Sequence, residues 1–141
     1  MRSALEQAKM AADEGEIPIG AVVVCADHII ATGHNMTERL SDPTAHAEMI
    51  ALTAACNAVG GKYLTDCTIY VTVEPCPMCA GAIINARLGK LYYGAKEPQS
   101  GSCGSVINLF MERYGHSPKI VGGVCESECA AILREFFTDK R

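Results

Sequence analysis

The stretch Pro75-Cys76-Pro77-Met78-Cys79 constrains this chain more than any other. It follows residues 68–73, which are rich in β-branched side chains, and opens residues 77–86, where only Asn85 is polar, so it marks a strand turning into a helix. Proline disfavours helical geometry in the residue before it and suits the first helical position itself. Cys76 is therefore predicted as the N-cap and Cys79 as the third helical residue. Side chains at those two positions meet in a capping box, which lets both sulfurs reach one point. A helix N-terminus also favours negative charge and lowers thiol pKa values.

A second helix entrance carries His46-Ala47-Glu48, ahead of a segment Ala47–Val59 in which only Glu48, Thr53 and Asn57 are polar. Residues i and i+2 of a helix point ~200° apart, so His46 and Glu48 converge only if His46 lies at the entrance, which Pro43 and Thr44 make plausible. Two thiolates and an imidazole suit zinc, and three protein ligands leave a fourth tetrahedral position for water. The metal makes that water acidic near neutral pH, and a carboxylate that does not bind the metal can move its protons; Glu48 has the chemistry and spacing for this. Other readings exist for each part. Cys-x-x-Cys alone also fits a thioredoxin-like redox pair, and a closed structural zinc would need a fourth ligand such as Cys103 or one of Cys125 and Cys129. A redox pair has no use for His-x-Glu, and the conjunction favours a catalytic zinc.

The 141 residues suffice for one domain, residues 1–141, and 49% hydrophobic composition excludes a disordered chain. No apolar run approaches the ~20 residues of a membrane span, and no signal peptide precedes residues 3–14, so a cytoplasmic protein is expected, with no membrane partner. Eight Cys in a chain of this size and context are not a disulfide scaffold. A net charge of -4 argues against a general basic coat while permitting a local patch. Helices are expected at 3–14, 47–59, 77–86, 105–113 and 128–139, and strands at 19–25, 28–33, 68–73, 88–94 and 119–124. The last helix has Ile132, Leu133, Phe136 and Phe137 on its apolar side. Repeated strand-helix-strand units predict an α/β sheet with helices on both faces. The two nearly apolar helices are covered on more than one side, either by central placement or by a second subunit.

The pattern H-x-E followed by P-C-x-x-C resembles the signature of zinc nucleobase deaminases. The resemblance narrows to bacterial tRNA-specific adenosine deaminases through Glu14-Gly15-Glu16-Ile17-Pro18-Ile19-Gly20-Ala21, Gly33-His34-Asn35, Asp42-Pro43-Thr44-Ala45-His46-Ala47-Glu48, the run Tyr70–Ala82 and Phe136-Phe137 before Arg141. It implies a three-layer αβα cytidine-deaminase-like fold with a five-stranded mixed sheet. It also implies one zinc per subunit on His46, Cys76 and Cys79, Glu48 as proton shuttle, and Asn35 and Ala47 at the bound base. The implied partners are a second subunit and a tRNA anticodon stem-loop, of an arginine tRNA, whose wobble adenosine becomes inosine. Met36, Glu97-Pro98-Gln99 and Ser117 depart from the family pattern, with Met36, Gln99 and Ser117 each standing where the family often has a cation. Arg39, Lys62, Arg113, Lys119, Lys140 and Arg141 remain to contact phosphate. The alternative is a zinc-dependent deaminase of a free nucleobase, nucleoside or nucleotide of guanine or cytosine type.

Overall fold

A computed structural model describes residues 1–139, so Lys140 and Arg141 lie outside the described residues. Ala26 and Asp27 have φ of 51° and 63°, the pair of positive values a two-residue hairpin turn demands, and they join β1 (Gly20–Cys25) to β2 (His28–His34). Around this hairpin the chain places α1 (Arg2–Asp13), α2 (Ala47–Val59), β3 (Cys67–Val73), α3 (Pro77–Asn85), β4 (Lys90–Ala95), β5 (Lys119–Val121) and α4 (Glu126–Asp139). The strand order is β2-β1-β3-β4-β5. β1 is antiparallel to both β2 and β3, whereas β3, β4 and β5 are parallel, which gives the five-stranded mixed sheet expected of the family.

Strand alternation assigns the two faces. Ala21, Val23, Ile69, Val71 and Leu91 join Ala51 and Ala55 of α2 and Ala80 and Ile83 of α3 in one buried cluster. On the opposite face α1 lies against β1 and also touches α4. Gly20 permits the first contact, since a Cβ there would stand 2.0 Å from Ala4 O and 2.5 Å from Ala8 N. Gly94 does the same for α4, where an added Cβ would be 2.4 Å from Cys129 Sγ. The result is three layers, α1 and α4 over the sheet over α2 and α3.

The helix expected at 105–113 does not form; only a 3-10 turn, Leu109–Met111, occupies that region. The groups such a helix would pair are engaged elsewhere: Leu109 N–H, which would donate to Ser105 O, donates to Ser102 O, Phe110 N–H donates to Asn108 Oδ1, and Ile107 O, which would accept Met111 N–H, accepts Gly104 N–H. The last strand ends at Val121 rather than 124, and α4 starts two residues early, at Glu126. On α4 Cys129 is fully buried, Ile132, Leu133 and Phe136 are half-buried, and Phe137 is 50% exposed.

Candidate metal centre and active site

His46 is the N-cap of α2, with extended φ and ψ of -75° and 152°. Cys76 is the N-cap of α3, likewise extended, and Pro77 is its first residue, so both entrances have the geometry expected from sequence. They bring three side chains together. His46 Nδ1 lies 3.6 Å from Cys76 Sγ and 3.5 Å from Cys79 Sγ, and the three donor atoms all fall within 4.8 Å of one another.

Bond lengths of ~2.05 Å to nitrogen and ~2.3 Å to sulfur, at a tetrahedral angle, put the two donor atoms about 3.6 Å apart. The His46 to Cys distances meet that requirement, so the residues fit a zinc ion. Among the described residues this is the only group placed so that it could hold a metal ion; Cys103, Cys125 and Cys129 are not part of it. Cys129 is instead a buried thiol packed at Gly94.

The electrostatics suit a cation. A hydrogen bond from Cys79, opposed by burial and reinforced by His46, lowers the Cys76 thiol to about 4. Cys79 is pushed up in complement, first by its hydrogen bond to Cys76 and then by burial. The Cys76 thiolate also raises the pKa of His46. Glu48 is 3% exposed, and burial pushes its carboxyl above the usual range, with Cys76, His46 and Cys79 all close enough to act on it.

Asn35 is buried at the end of β2, where its N–H donates to Ile19 O. Its side-chain Oδ1 accepts Thr37 N–H at 3.3 Å and its Nδ2 donates to Ile17 O at 3.4 Å. The next residue, Met36, donates its N–H to Ala45 O, which ties the Asn35 loop to the residue before His46. Ala47 is fully buried as the first residue of α2.

Two buried carboxylates that sequence reasoning did not single out organise this region. Glu16 accepts Glu38 N–H at 3.0 Å and Arg39 N–H at 2.7 Å, which anchors the loop between Asn35 and His46. Glu74, two residues before Cys76, accepts N–H groups from Glu97, Cys103 and Ser105 and the Ser105 hydroxyl. Both lie inside the stretches that carry the family resemblance, which was the available signal.

A buried acid beside a His/Cys/Cys group able to hold a metal, at helix entrances on one mixed sheet, is the arrangement of the hydrolytic nucleobase deaminases. Known proteins agree: residues 1–141 match the family model of MafB19-like deaminases. A tRNA-specific adenosine deaminase of Bacillus subtilis (strain 168) is 45% identical over 100% of this chain and 88% of its own length. A solved structure from work on A-to-I editing by tRNA:A34 deaminases at the wobble position superposes with a TM-score of 0.91, at 44% identity, covering 94% of this chain and 97% of that one. A guanine deaminase structure from Bacillus subtilis is more distant, with a TM-score of 0.66 and 32% identity over 99% of this chain and 90% of its own. The chain belongs to the tRNA-specific adenosine deaminase family.

Proposed function

We propose that this protein hydrolytically deaminates adenosine to inosine at the wobble position of a tRNA anticodon loop, with zinc on His46, Cys76 and Cys79 and Glu48 as the proton carrier. The observation that carries this reading is a buried Glu48 beside the three-ligand set, in a chain similar over its whole length to tRNA-specific adenosine deaminases.

Zinc, when bound, supplies a Lewis acid that makes water acidic near neutral pH. Glu48 does the proton work. Its carboxylate takes a proton from the water attacking C6 of adenine and delivers it to N1, then passes the second to the departing amine, so that ammonia leaves and inosine remains. Burial of Glu48 supports this role, because a raised pKa lets the group hold a proton between transfers. Asn35 retains one amide hydrogen and one lone pair beyond its loop bonds, and an amide suits an adenine edge because it both donates and accepts. Ala47 borders the base between His46 and Glu48, and as the first residue of α2 its N–H has no intrahelical acceptor.

An anticodon loop presents bases already partly unstacked, which saves a few kcal/mol relative to extrusion from a duplex. Lys62, Arg113 and Lys119 are exposed and available to phosphate, and Arg39, also exposed, is ion-paired with Glu14 at 3.0 Å. A cytoplasmic location is part of this reading. Among the described residues no helix is long and apolar enough to cross a membrane.

The working unit is a homodimer with α2 and α3 at the contact. On α2, Met49, Ile50 and Ala54 are only half-buried and line a groove of about 400 Å³ with Leu40, itself 53% exposed. Light scattering should give twice the chain mass at micromolar concentration; the mass of one chain would refute the dimer.

The test of the reaction compares an adenosine-bearing arginine tRNA stem-loop with adenine, guanine, cytosine and their nucleosides, with ammonia and inosine measured. Turnover is expected on the stem-loop and should fall as salt rises. Turnover of a free base or nucleoside alone would favour the second reading, a small-molecule deaminase, to which the guanine deaminase similarity points.

A further inference from the structure

Cys25 ends β1 and Cys67 begins β3, and the two stand directly opposite each other in antiparallel register. Cys67 donates its N–H to Leu64 O at 3.0 Å, and its carbonyl accepts Gly89 N–H at 3.1 Å, so neither backbone group turns toward β1. The other side of β1 gives the same phase. Asn35 N–H bonds Ile19 O while Gly20 faces His34, which turns Gly20, Val22 and Val24 toward β3 and leaves Cys25 turned away. Cys25 and Cys67 are therefore a non-hydrogen-bonded pair, the kind whose Cα atoms lie ~4.5 Å apart with side chains closest. A disulfide accepts Cα separations of ~4.4–6.8 Å.

Both side chains project to the α2 face, Cys67 within the buried cluster and Cys25 against it. Cys25 Sγ sits 3.7 Å from Asp66 O, directed across to β3. Both thiols are free, and neither belongs to the metal-holding group. They differ in access: Cys25 is half-buried, whereas Cys67 is 3% exposed, with burial first and the Cys25 thiol second pushing it up to about 12.

We propose that Cys25 and Cys67 form a reversible disulfide-forming dithiol, with Cys25 the entry thiol, Cys67 the resolving thiol and a small-molecule disulfide such as oxidised glutathione the oxidant. The Cys25 thiolate attacks one sulfur of the oxidant, the S–S bond breaks, and one glutathione thiolate leaves. Cys67 then loses its proton, attacks Cys25 Sγ and expels the second glutathione thiolate as the new S–S bond forms. Two electrons and two protons leave the protein, and one oxidised glutathione becomes two reduced molecules. The bond encloses residues 26–66, the segment that carries Asn35, His46 and Glu48, so oxidation staples the ligand-bearing half of the site to the sheet.

The experiment treats the zinc-loaded full chain with oxidised glutathione, alkylates the remaining thiols and maps peptides by mass spectrometry. Zinc keeps Cys76 and Cys79 out of the reaction. The expected product joins the Cys25 and Cys67 peptides, weighs about 2 Da less than the reduced protein, melts several degrees higher and reverts with dithiothreitol. Cys56→Ala should form the same bond at the same rate, and Cys25→Ser should leave Cys67 fully alkylated; Cys25→Ala replaces it if serine prevents folding. A bond from either residue to Cys56, the thiol on α2 whose charge also reaches Cys67, overturns the proposal. So does arrest at a Cys25–glutathione adduct with Cys67 alkylated, or full alkylation of both.

Discussion

Cys103 donates its backbone N–H to Glu74 Oε2 at 2.8 Å, so the loop after β4 is held by a carboxylate two residues from the Cys76 entrance. Ser105 N–H bonds the same oxygen at 3.1 Å, and Glu97 N–H reaches Oε1 at 3.2 Å. Gly101 makes this approach possible, because a Cβ there would stand 2.4 Å from Glu74 Cδ.

Glu74 sets an acid limit on stability. Burial raises its pKa, but hydrogen bonds from Ser105, Cys103 and Glu97 outweigh that and hold it below the usual carboxylate range. A depressed folded pKa means a contribution fully present above the unfolded value of ~4.3 and lost as pH falls through the folded one. Glu74→Gln turns an amide N–H₂ toward these donors and should cost about 2–3 kcal/mol at neutral pH. Denaturant titrations at several pH values should show the gap between wild type and Glu74→Gln closing on acidification.

Metal content and turnover separate under substitution. Cys76→Ser, Cys79→Ser and His46→Ala are expected to lose zinc, each removing one of three donors. Glu48→Gln should keep about one zinc per chain and lose ~10²–10⁴-fold in kcat. Elemental analysis alongside single-turnover kinetics distinguishes them. A wild-type zinc content in Cys76→Ser would refute the ligand set.

Glu16→Gln should act on the substrate rather than on the metal. It replaces one acceptor of the Glu38 and Arg39 N–H groups and so loosens the loop that joins Asn35 to His46. A stability loss of ~1–3 kcal/mol is expected, with a raised KM and an unchanged zinc content. Loss of zinc without any change in KM would contradict that division.

Gly33→Ala tests how the sheet positions α2. Its Cβ would stand 2.4 Å from Ala47 O and 2.8 Å from Ala51 N, both backbone atoms, so the first turn of α2 must move. Overpacking of this kind costs ~1–3 kcal/mol, and the shift should weaken zinc binding because His46 caps that turn. Competition with a chromophoric chelator reads the affinity, and unchanged affinity would show that α2 adjusts without moving His46.

Much of the candidate site was legible because its determinants are local. The ring of Pro77 fixes its own φ and pushes Cys76 out of helical space whatever surrounds them, so the spacing of Cys76 and Cys79 already sets two thiols at one helix entrance. Period-two and helical patterning likewise located β1 to β4 and the four helices to within two residues at each end. What failed was a matter of competition between distant partners. Leu109 and Phe110 lie in a segment with a local preference for helix, yet Leu109 N–H, which a helix would give to Ser105 O, goes to Ser102 O, on a residue fixed by its own N–H to Pro75 O, and Phe110 N–H goes to Asn108 Oδ1.

Thiol, imidazole and carboxyl are properties of single residues, and the two helix entrances are encoded within a few positions of each, so the candidate chemistry could be read locally. Which of these groups meet is settled by long-range packing. The strand order β2-β1-β3-β4-β5, the approach of His46 to cysteines 30 and 33 positions away, and the facing of Cys25 and Cys67 all depend on closing long loops. Closure is driven by burying the apolar faces of the sheet against both helix layers, a collective energy that no short stretch of residues expresses.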